Sequence, residues 1–397
     1  MLYRKVPKTG DELSILGFGC MRLAQKDGRI DEERATRQIR HAIDNGLNYI
    51  DTAYPYHGGE SEPFVGRVLA GGYRERVKLA TKLPTWFVKN RADMDRFLDA
   101  QLRKLATSRI DYYLIHSLTG DHWDRVAAMG VGEFLDRAKS DGRIVNAGFS
   151  FHGIREDFKR IVDAYPWKFC QIQYNFLDED RQAGTEGLKY AASKDLAVVV
   201  MEPLRGGVLA ASPQPPAIDA LWREAERQRT PAEWALRWVW NHPEVTVVLS
   251  GMNDEAQVDE NLRVAADARP GSLSAEEAGL VGRVSLKYRE IMRVDCTGCA
   301  YCQPCPSGVD IPGIFEVFNA SHTFGKTQEA AFLYALRAGG VLSGKPAYAS
   351  LCSRCLDCLP KCPQGLQIPD LLEQVVREFE GDGLQDRLAF ARSLFHA

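Results

Sequence analysis

Eight times in succession a short apolar run gives way to a stretch whose apolar residues recur at helical spacing. This alternation constrains the fold more than any other property of the chain. The runs are Leu13–Phe18, Leu47–Ile50, Val77–Thr81, Tyr112–Ile115, Ile144–Phe149, Phe169–Tyr174, Leu196–Met201 and Val245–Leu249. Helical patterns follow them, for example Ala35, Ile39 and Ala42-Ile43 after an opening Asp31, or Met94, Phe97-Leu98 and Leu102 within 91–106. Eight strand–helix units in about 270 residues predict a closed (β/α)8 TIM barrel, an α/β fold. A doubly wound open sheet is the rival, but it predicts G-x-G-x-x-G after the first strand, and Gly17-Phe-Gly19 opens no such helix. A hairpin over residues 3–11, with Lys8-Thr-Gly-Asp11 as its turn, precedes the series.

In such a barrel chemistry belongs where strands end and loops begin. Three consecutive strand ends carry Asp51 and Tyr56, then Lys82, then His116. A phenol of pKa about 10 is a poor acid at neutral pH, and a neighbouring ammonium favours its phenolate. Lys82 supplies that charge, Asp51 can hold Lys82, and His116 can hydrogen-bond a carbonyl oxygen. Singly, each is as often a structural ion pair or a packed ring. Together they suit the reduction of an aldehyde or ketone, or oxidation of the alcohol.

After Ala266 the pattern changes: Pro270-Gly271 breaks it, 273–292 reads as a linking helix, and cysteine organises the remainder. We place the boundary near residue 285, giving a barrel over 1–285 and a smaller, mainly helical domain over 286–397. Of 10 cysteines, eight fall in two groups, Cys296, Cys299, Cys302, Cys305 and Cys352, Cys355, Cys358, Cys362. The second group has the C-x2-C-x2-C-x3-C-P spacing of bacterial ferredoxins; the first is one residue shorter before Cys305. Paired C-x2-C units also suit structural zinc, but three cysteines at successive x2 spacings, twice, each run ending in Cys-Pro, fit two [4Fe-4S] clusters better. The 311–340 insert reads as helical, with Phe315, Phe318, Phe332, Leu333 and Leu336 packing it. Ile311-Pro312 and Ile368-Pro369 follow the two groups at similar offsets, as in two related halves. Cys20 and Cys170 lie in apolar segments and are expected in the core.

A net charge of -3 gives no basic excess, so nucleic acid is not a favoured partner. No apolar run of about 18 residues and no signal-peptide pattern is present, so no membrane association and a cytoplasmic location are the expectations.

Residues 1–285 resemble the aldo-keto reductase family through Leu16-Gly-Phe-Gly19, Asp51-Thr-Ala-Tyr-Pro-Tyr56, Thr81-Lys82, Leu114-Ile-His116 and Gly251-Met-Asn-Asp followed by Glu260-Asn261. The resemblance implies that Asp51, Tyr56, Lys82 and His116 form the family's tetrad, with Tyr56 protonating the carbonyl oxygen while NADP or NAD supplies hydride. It assigns the nicotinamide carboxamide to Ser150 and Gln171, the ring shelf to Met201, the pyrophosphate loop to Leu204, Gly206 and Gly207, and the adenine end to Ser250, Gly251, Gln257, Glu260 and Asn261. Four positions depart from the family: Phe151 replaces an Asn, Met201 replaces an aromatic shelf, and Gly251 and Gln257 stand where basic residues grip a 2′-phosphate. NADH and NADPH therefore both remain open. The ferredoxin resemblance implies crossed ligation, Cys296, Cys299, Cys302 and Cys362 on one cluster and Cys352, Cys355, Cys358 and Cys305 on the other.

Two functions follow. One is a carbonyl reductase or alcohol dehydrogenase acting on a small molecule. The other is an electron-transfer protein, or an enzyme whose barrel chemistry is fed by the clusters from a flavoprotein or ferredoxin partner. Substrate choice rests with the loops 21–29, 117–128 and 206–228, and Trp86, His122 and Trp123 are candidates for lining the pocket.

Overall fold

The computed structural model describes residues 1–341 and 344–395. Eight parallel strands close into a barrel: Leu16–Gly19, Tyr49–Asp51, Lys78–Leu83, Ile110–Leu118, Ile144–Phe151, Phe169–Gln173, Ala197–Met201 and Val245–Ser250. The last strand pairs with the first, Val248 opposite Leu16 and Ser250 opposite Phe18, so no barrel edge is left. The expected first strand, Leu13–Phe18, is two elements. Glu12–Ser14 pairs antiparallel with Tyr3–Lys5 as the second arm of the hairpin, and the barrel strand begins only at Leu16. Ser14 marks the break: its hydroxyl donates to the Leu16 carbonyl, and its backbone N–H donates to Asn48 Oδ1. Two further elements also lay outside the sequence expectation, a small hairpin of Gln25–Lys26 with Arg29–Ile30, and a helix Gly120–Ala128.

The hairpin plugs the barrel. Val6 and Leu13 join a buried cluster with Tyr49, Tyr112, Phe169 and Val247, in which the Tyr112 ring stands edge-on to Tyr49 and Phe169. Asp11 fixes it, accepting from Lys78 Nζ and the Tyr112 hydroxyl. The helices follow their sequence signals. Asp31 caps Glu32–Asp44 by accepting from the Arg34 N–H, and the helix buries Ala35, Ile39, Ala42 and Ile43 on one face. Complete burial of a side chain such as Ile39 is worth about 1.5–3 kcal/mol. Asn90 and Asp93 form a reciprocal capping box on Arg91–Lys104. Cys20 and Cys170 are fully buried, and burial raises both thiol pKa values, as inert core cysteines require.

The chain separates into two compact units. One comprises Met1–Leu204 and Arg229–Ala278, the other Arg205–Gln228 and Gly279–Ala397. This differs from a single cut near residue 285. Helix Ala275–Ile291 crosses the change-over, and the segment after the seventh strand, 205–228, folds with the cysteine-rich unit. Arg205 secures it there: its guanidinium is buried and pairs with Asp295 at 3.1 Å. Gly206 adjoins it at φ +69°, and a Cβ at this position would lie 2.0 Å from the Thr297 carbonyl oxygen. Among the described residues this unit is helical, with no strand. Ile311–Phe324 and Ile368–Phe379 each open on Ile-Pro, consistent with the two related halves read from sequence. Their core is Phe315, Phe318, Tyr334, Leu372, Val375 and Phe379, against which Leu333 and six of the clustered cysteines are packed. Phe332 instead stacks on Phe390, its ring 5.7 Å away.

Candidate active site and candidate metal centre

Three neighbouring strands deliver the tetrad to one end of the barrel. Asp51 is the last residue of the second strand, Lys82 lies near the end of the third and His116 near the end of the fourth. The chain leaving Asp51 turns through Pro55 into a short helical turn that begins at Tyr56. Lys82 Nζ is 2.6 Å from Asp51 Oδ1 and donates to the Thr52 carbonyl at 2.8 Å, with both charged side chains buried. The same ammonium lies 5.1 Å from the Tyr56 ring centroid. The His116 ring stands edge-on to Tyr56 at 6.2 Å. Burial raises the Asp51 carboxyl above its ordinary pKa, with Lys82 pulling the other way. Burial, then the charge of Lys82, hold His116 well below 6.5. Its imidazole is neutral at physiological pH and suits hydrogen bonding to a carbonyl, not general acid chemistry. Among the described residues Asp51 Oδ2 and His116 Nδ1 are buried without a hydrogen-bond partner.

The pocket-lining expectations divide. Trp86 is 37% exposed and stacks on His116 at 4.9 Å, so it borders the site. Trp123 is buried beside Trp167 at 5.9 Å and is core. His122 caps the preceding turn through Nδ1 and the Ser117 carbonyl, 3.0 Å apart.

Ser150 and Gln171 are directly opposite each other on the paired fifth and sixth strands. Ser150 Oγ accepts from the Ser117 N–H at 2.7 Å, which leaves its own hydroxyl hydrogen to give. Gln171 Nε2 reaches Met201 Sδ at 3.4 Å, while its Oε1 is buried with no partner among the described residues. A buried amide oxygen facing a hydroxyl donor fits a primary carboxamide, which needs one acceptor and one donor. Ser250 and Asn261 are buried and bonded to each other at 3.0 Å. Glu260 accepts from the Thr230 hydroxyl, and Gln257 Oε1 accepts from the Asn253 N–H at the start of its helix. Gly206 and Gly207 lie in the segment that folds with the cysteine-rich unit, which begins at Arg205, whereas Leu204 belongs to the first unit.

The sequence reading missed a cation beside Gly251. A Cβ on Gly251 would touch Arg22 Cβ at 3.2 Å, and Arg22 forms an ion pair with Glu202 at 3.6 Å. Arg22 and Arg34 both line a cavity of about 500 Å³ with Met21, Gln25, Asn253 and Asp254. The loop 21–29 carried the signal, but a strand far away in sequence sets which residue faces Gly251.

In the second unit the cysteines sort into two sets. The Cys302 thiol is pushed up to about 12 by burial and by the nearby thiols of Cys299, Cys296 and Cys362. Cys358 is raised by burial, with Cys352, Cys355 and Cys305 around it. Among the described residues no group of three His, Cys, Asp or Glu side chains stands in position to hold a metal ion. The sets are therefore recognised by which thiols feel one another's charge, and each set takes its fourth member from the other run.

Residues 15–270 match the family described as the Aldo/keto reductase family. The chain belongs to it. Residues 295–367 match a second description, a 4Fe-4S dicluster domain. This aldo/keto reductase is 25% identical to L-galactose dehydrogenase of Arabidopsis thaliana over 297 residues, 70% of this chain and 91% of that one. It is 28% identical to 6-dehydroglucose reductase of Novosphingobium aromaticivorans over 280 residues, 65% of this chain and 88% of that one. A solved aldo-keto reductase from Bacillus halodurans, in its holo form, superposes with a TM-score of 0.61 at 28% identity, covering 72% of this chain and 96% of the other. The aldo/keto reductase barrel followed by an iron–sulfur domain is thus an oxidoreductase. No helix among the described residues is long and apolar enough to cross a membrane.

Proposed function

We propose that the barrel interconverts a small-molecule carbonyl and its alcohol, with Tyr56 as proton donor and a nicotinamide dinucleotide as hydride source. One observation carries the reading: a buried ammonium, clamped by Asp51 at 2.6 Å, lies 5.1 Å from the Tyr56 ring. Bound nicotinamide supplies a hydride to the carbonyl carbon. The chain's own residues do the rest. Neutral His116 donates a hydrogen bond to the carbonyl oxygen and orients it toward Tyr56. The Tyr56 hydroxyl passes its proton to that oxygen as negative charge develops there, and Lys82 stabilises the phenolate left behind. Asp51 keeps the ammonium charged and directed. Gln171 Oε1 and the Ser150 hydroxyl would grip the carboxamide, and Met201 would support the ring. Arg22 beside Gly251 offers the cation that Gly251 and Gln257 lack, so a 2′-phosphate has a partner and NADP remains compatible with the site.

We assign two [4Fe-4S] clusters to the two cysteine sets. A second reading, in which they exchange electrons with a redox protein, is favoured by the exposure of Cys355 at the surface. Tyr56→Phe tests the main reading. Reduction of aldehydes by NADH and NADPH should fall by at least about a thousandfold, within the range for loss of acid catalysis, with the iron–sulfur absorbance unchanged. Retained activity would sink the assignment. If reducing the clusters chemically alters turnover, the second reading gains; if turnover is indifferent, they serve the fold.

A further inference from the structure

Beyond the tetrad, one more imidazole stands at the barrel mouth. His152 follows directly on the fifth strand, Ile144–Phe151, whose neighbour, Ile110–Leu118, carries His116. The strands pair up to Phe151 opposite Leu118, and the His152 N–H donates to the Leu118 carbonyl. The two rings are close enough that a proton added to His152 would be felt at His116. Unlike His116, His152 is held by a chain of side chains, and the chemistry of that chain fixes its direction.

The chain starts at Asp178. Its Oδ2 accepts from Asn175 Nδ2 and from Gln173 Nε2, each at 2.8 Å, and a carboxylate oxygen only accepts. Gln173 must therefore spend its NH2 on Asp178 and present its oxygen onward. That oxygen accepts from Gln182 Nε2 at 3.2 Å, so Gln182 in turn presents Oε1, which lies 3.2 Å from His152 Nδ1. An amide oxygen cannot donate. His152 must carry its proton on Nδ1, and Nε2 is left with a lone pair. Desolvation lowers the ring's pKa to about 4, against the opposing bond to Gln182, so the imidazole is neutral under ordinary conditions. Neighbouring strands lie about 4.8 Å apart. His152 lies past the last pair, Leu118 with Phe151, so it stands one strand over from His116 and further out along the barrel axis, on the side where the substituent next to a carbonyl bonded to His116 would project.

We infer that His152 is a specificity-determining residue whose Nε2 accepts a hydrogen bond from a hydroxyl next to the reacting carbonyl, which makes hydroxylated aldehydes and ketones the substrate class. The inference rests on the proposed carbonyl chemistry. It deepens it by reading the second functional group: His116 donates to the carbonyl oxygen, whereas His152, with its proton turned toward Gln182, can only accept. A site built to accept from a hydroxyl discriminates against the analogue that lacks one, because the acceptor is then left unpaired.

The test compares glyceraldehyde with propanal on the full-length, cluster-loaded protein, in wild type, His152→Leu and Gln182→Asn. Asn tolerates the positive φ of 52° at position 182 but is too short to reach His152. His152→Leu should lower kcat/KM for glyceraldehyde at least about tenfold and leave propanal within about threefold, a selective loss of the size one hydrogen bond gives. An equal fall on both substrates, or none on either, overturns the inference. Long-range proton–nitrogen NMR of the histidine rings, with His152 assigned by its loss in His152→Leu, supplies a readout independent of turnover. The wild type should show His152 protonated on Nδ1 alone, and Gln182→Asn should lose that preference. Finding the proton on Nε2 overturns the inference. If wild type reduces neither aldehyde with either nicotinamide, the carbonyl reading fails separately. The ring still decides the hydroxyl site, because its Nε2 signal must move with glyceraldehyde and stay fixed with propanal.

Discussion

Replacing Lys82 by Met tests the electrostatic frame of the site through stability alone, with no substrate or cofactor needed. Met fills most of the lysine's volume, so the substitution removes a charge more than it opens a cavity. In the native barrel Lys82 Nζ donates hydrogen bonds to Asp51 Oδ1 at 2.6 Å and to the Thr52 carbonyl at 2.8 Å. Asp51 Oδ2 has no other partner among the described residues, and the carboxyl is 2% exposed. Lys82→Met therefore strands a buried carboxylate, a change that costs about 3–5 kcal/mol. The cost must depend on pH. Burial already raises the Asp51 pKa, and removing the cation raises it further. A carboxyl raised on folding contributes its stability fully below the unfolded pKa of about 3.9 and loses it as pH climbs through the folded value, at about 1.4 kcal/mol per unit. The deficit of Lys82→Met should thus be small near pH 4 and grow toward pH 7. Adding Asp51→Asn removes the stranded charge and should recover more than half of it. Urea unfolding followed by tryptophan fluorescence reads the barrel, which holds six of the seven tryptophans. A deficit below about 1 kcal/mol, or one that is flat with pH, would refute the buried ion pair as the organiser of the site.

Three further outcomes are expected. Because burial and Lys82 depress His116 well below 6.5, its ring is already neutral above that value, and protonation begins only on the acid side. The pH profile of kcat/KM should show no limb from His116 between pH 6 and 8, and a limb there that disappears in His116→Gln would contradict this. Gly206→Ala places a methyl 2.0 Å from the Thr297 carbonyl at φ +69° and should cost more than the roughly 1 kcal/mol of a left-handed alanine; the iron–sulfur absorbance should melt earlier while barrel fluorescence holds. Crossed ligation predicts which cysteine losses overlap. Cys299→Ser with Cys362→Ser should cost no more iron than either alone, whereas Cys299→Ser with Cys305→Ser should empty both sites, measured as iron and labile sulfide per chain.

Much of this was legible because it is local. Strand ends follow from apolar runs, so Asp51, Lys82 and His116 fall where the alternation puts them, and cysteine spacing is itself sequence. The rest depends on partners distant in the chain. Leu13–Phe18 is apolar apart from Ser14 and Gly17, and no periodicity reveals that Ser14, held by Asn48, divides it between a hairpin and a barrel strand. Arg22 reads as a loop residue until the eighth strand brings Gly251 against it. His152 was passed over beside the more conspicuous Phe151, since its meaning lies in Gln182, Gln173 and Asp178, none of them adjacent in sequence.

The segment after the seventh strand makes the same point for domain organisation. By order along the chain, 205–228 is a barrel loop, and a linear boundary near 285 assigns it so. Three interactions allot it instead to the cysteine-rich unit. Buried Arg205 pairs with Asp295, one residue before the first clustered cysteine; Gly206 lies against Thr297, one residue after it; and the Tyr288 hydroxyl donates to Gln214 Oε1 at 2.6 Å. A buried guanidinium is costly without a counter-charge, so removing Asp295 would destabilise the position of Arg205. Since Arg205 directly continues from Leu204, at the end of the first unit's seventh-strand region, the cysteine-rich unit is joined to the barrel chain at both ends of an insertion as well as through the 275–291 helix. A truncation near residue 285 would remove Asp295, the counter-charge of buried Arg205. Testing what the cysteines contribute calls for substitutions at the cysteines, not for cutting the chain near residue 285.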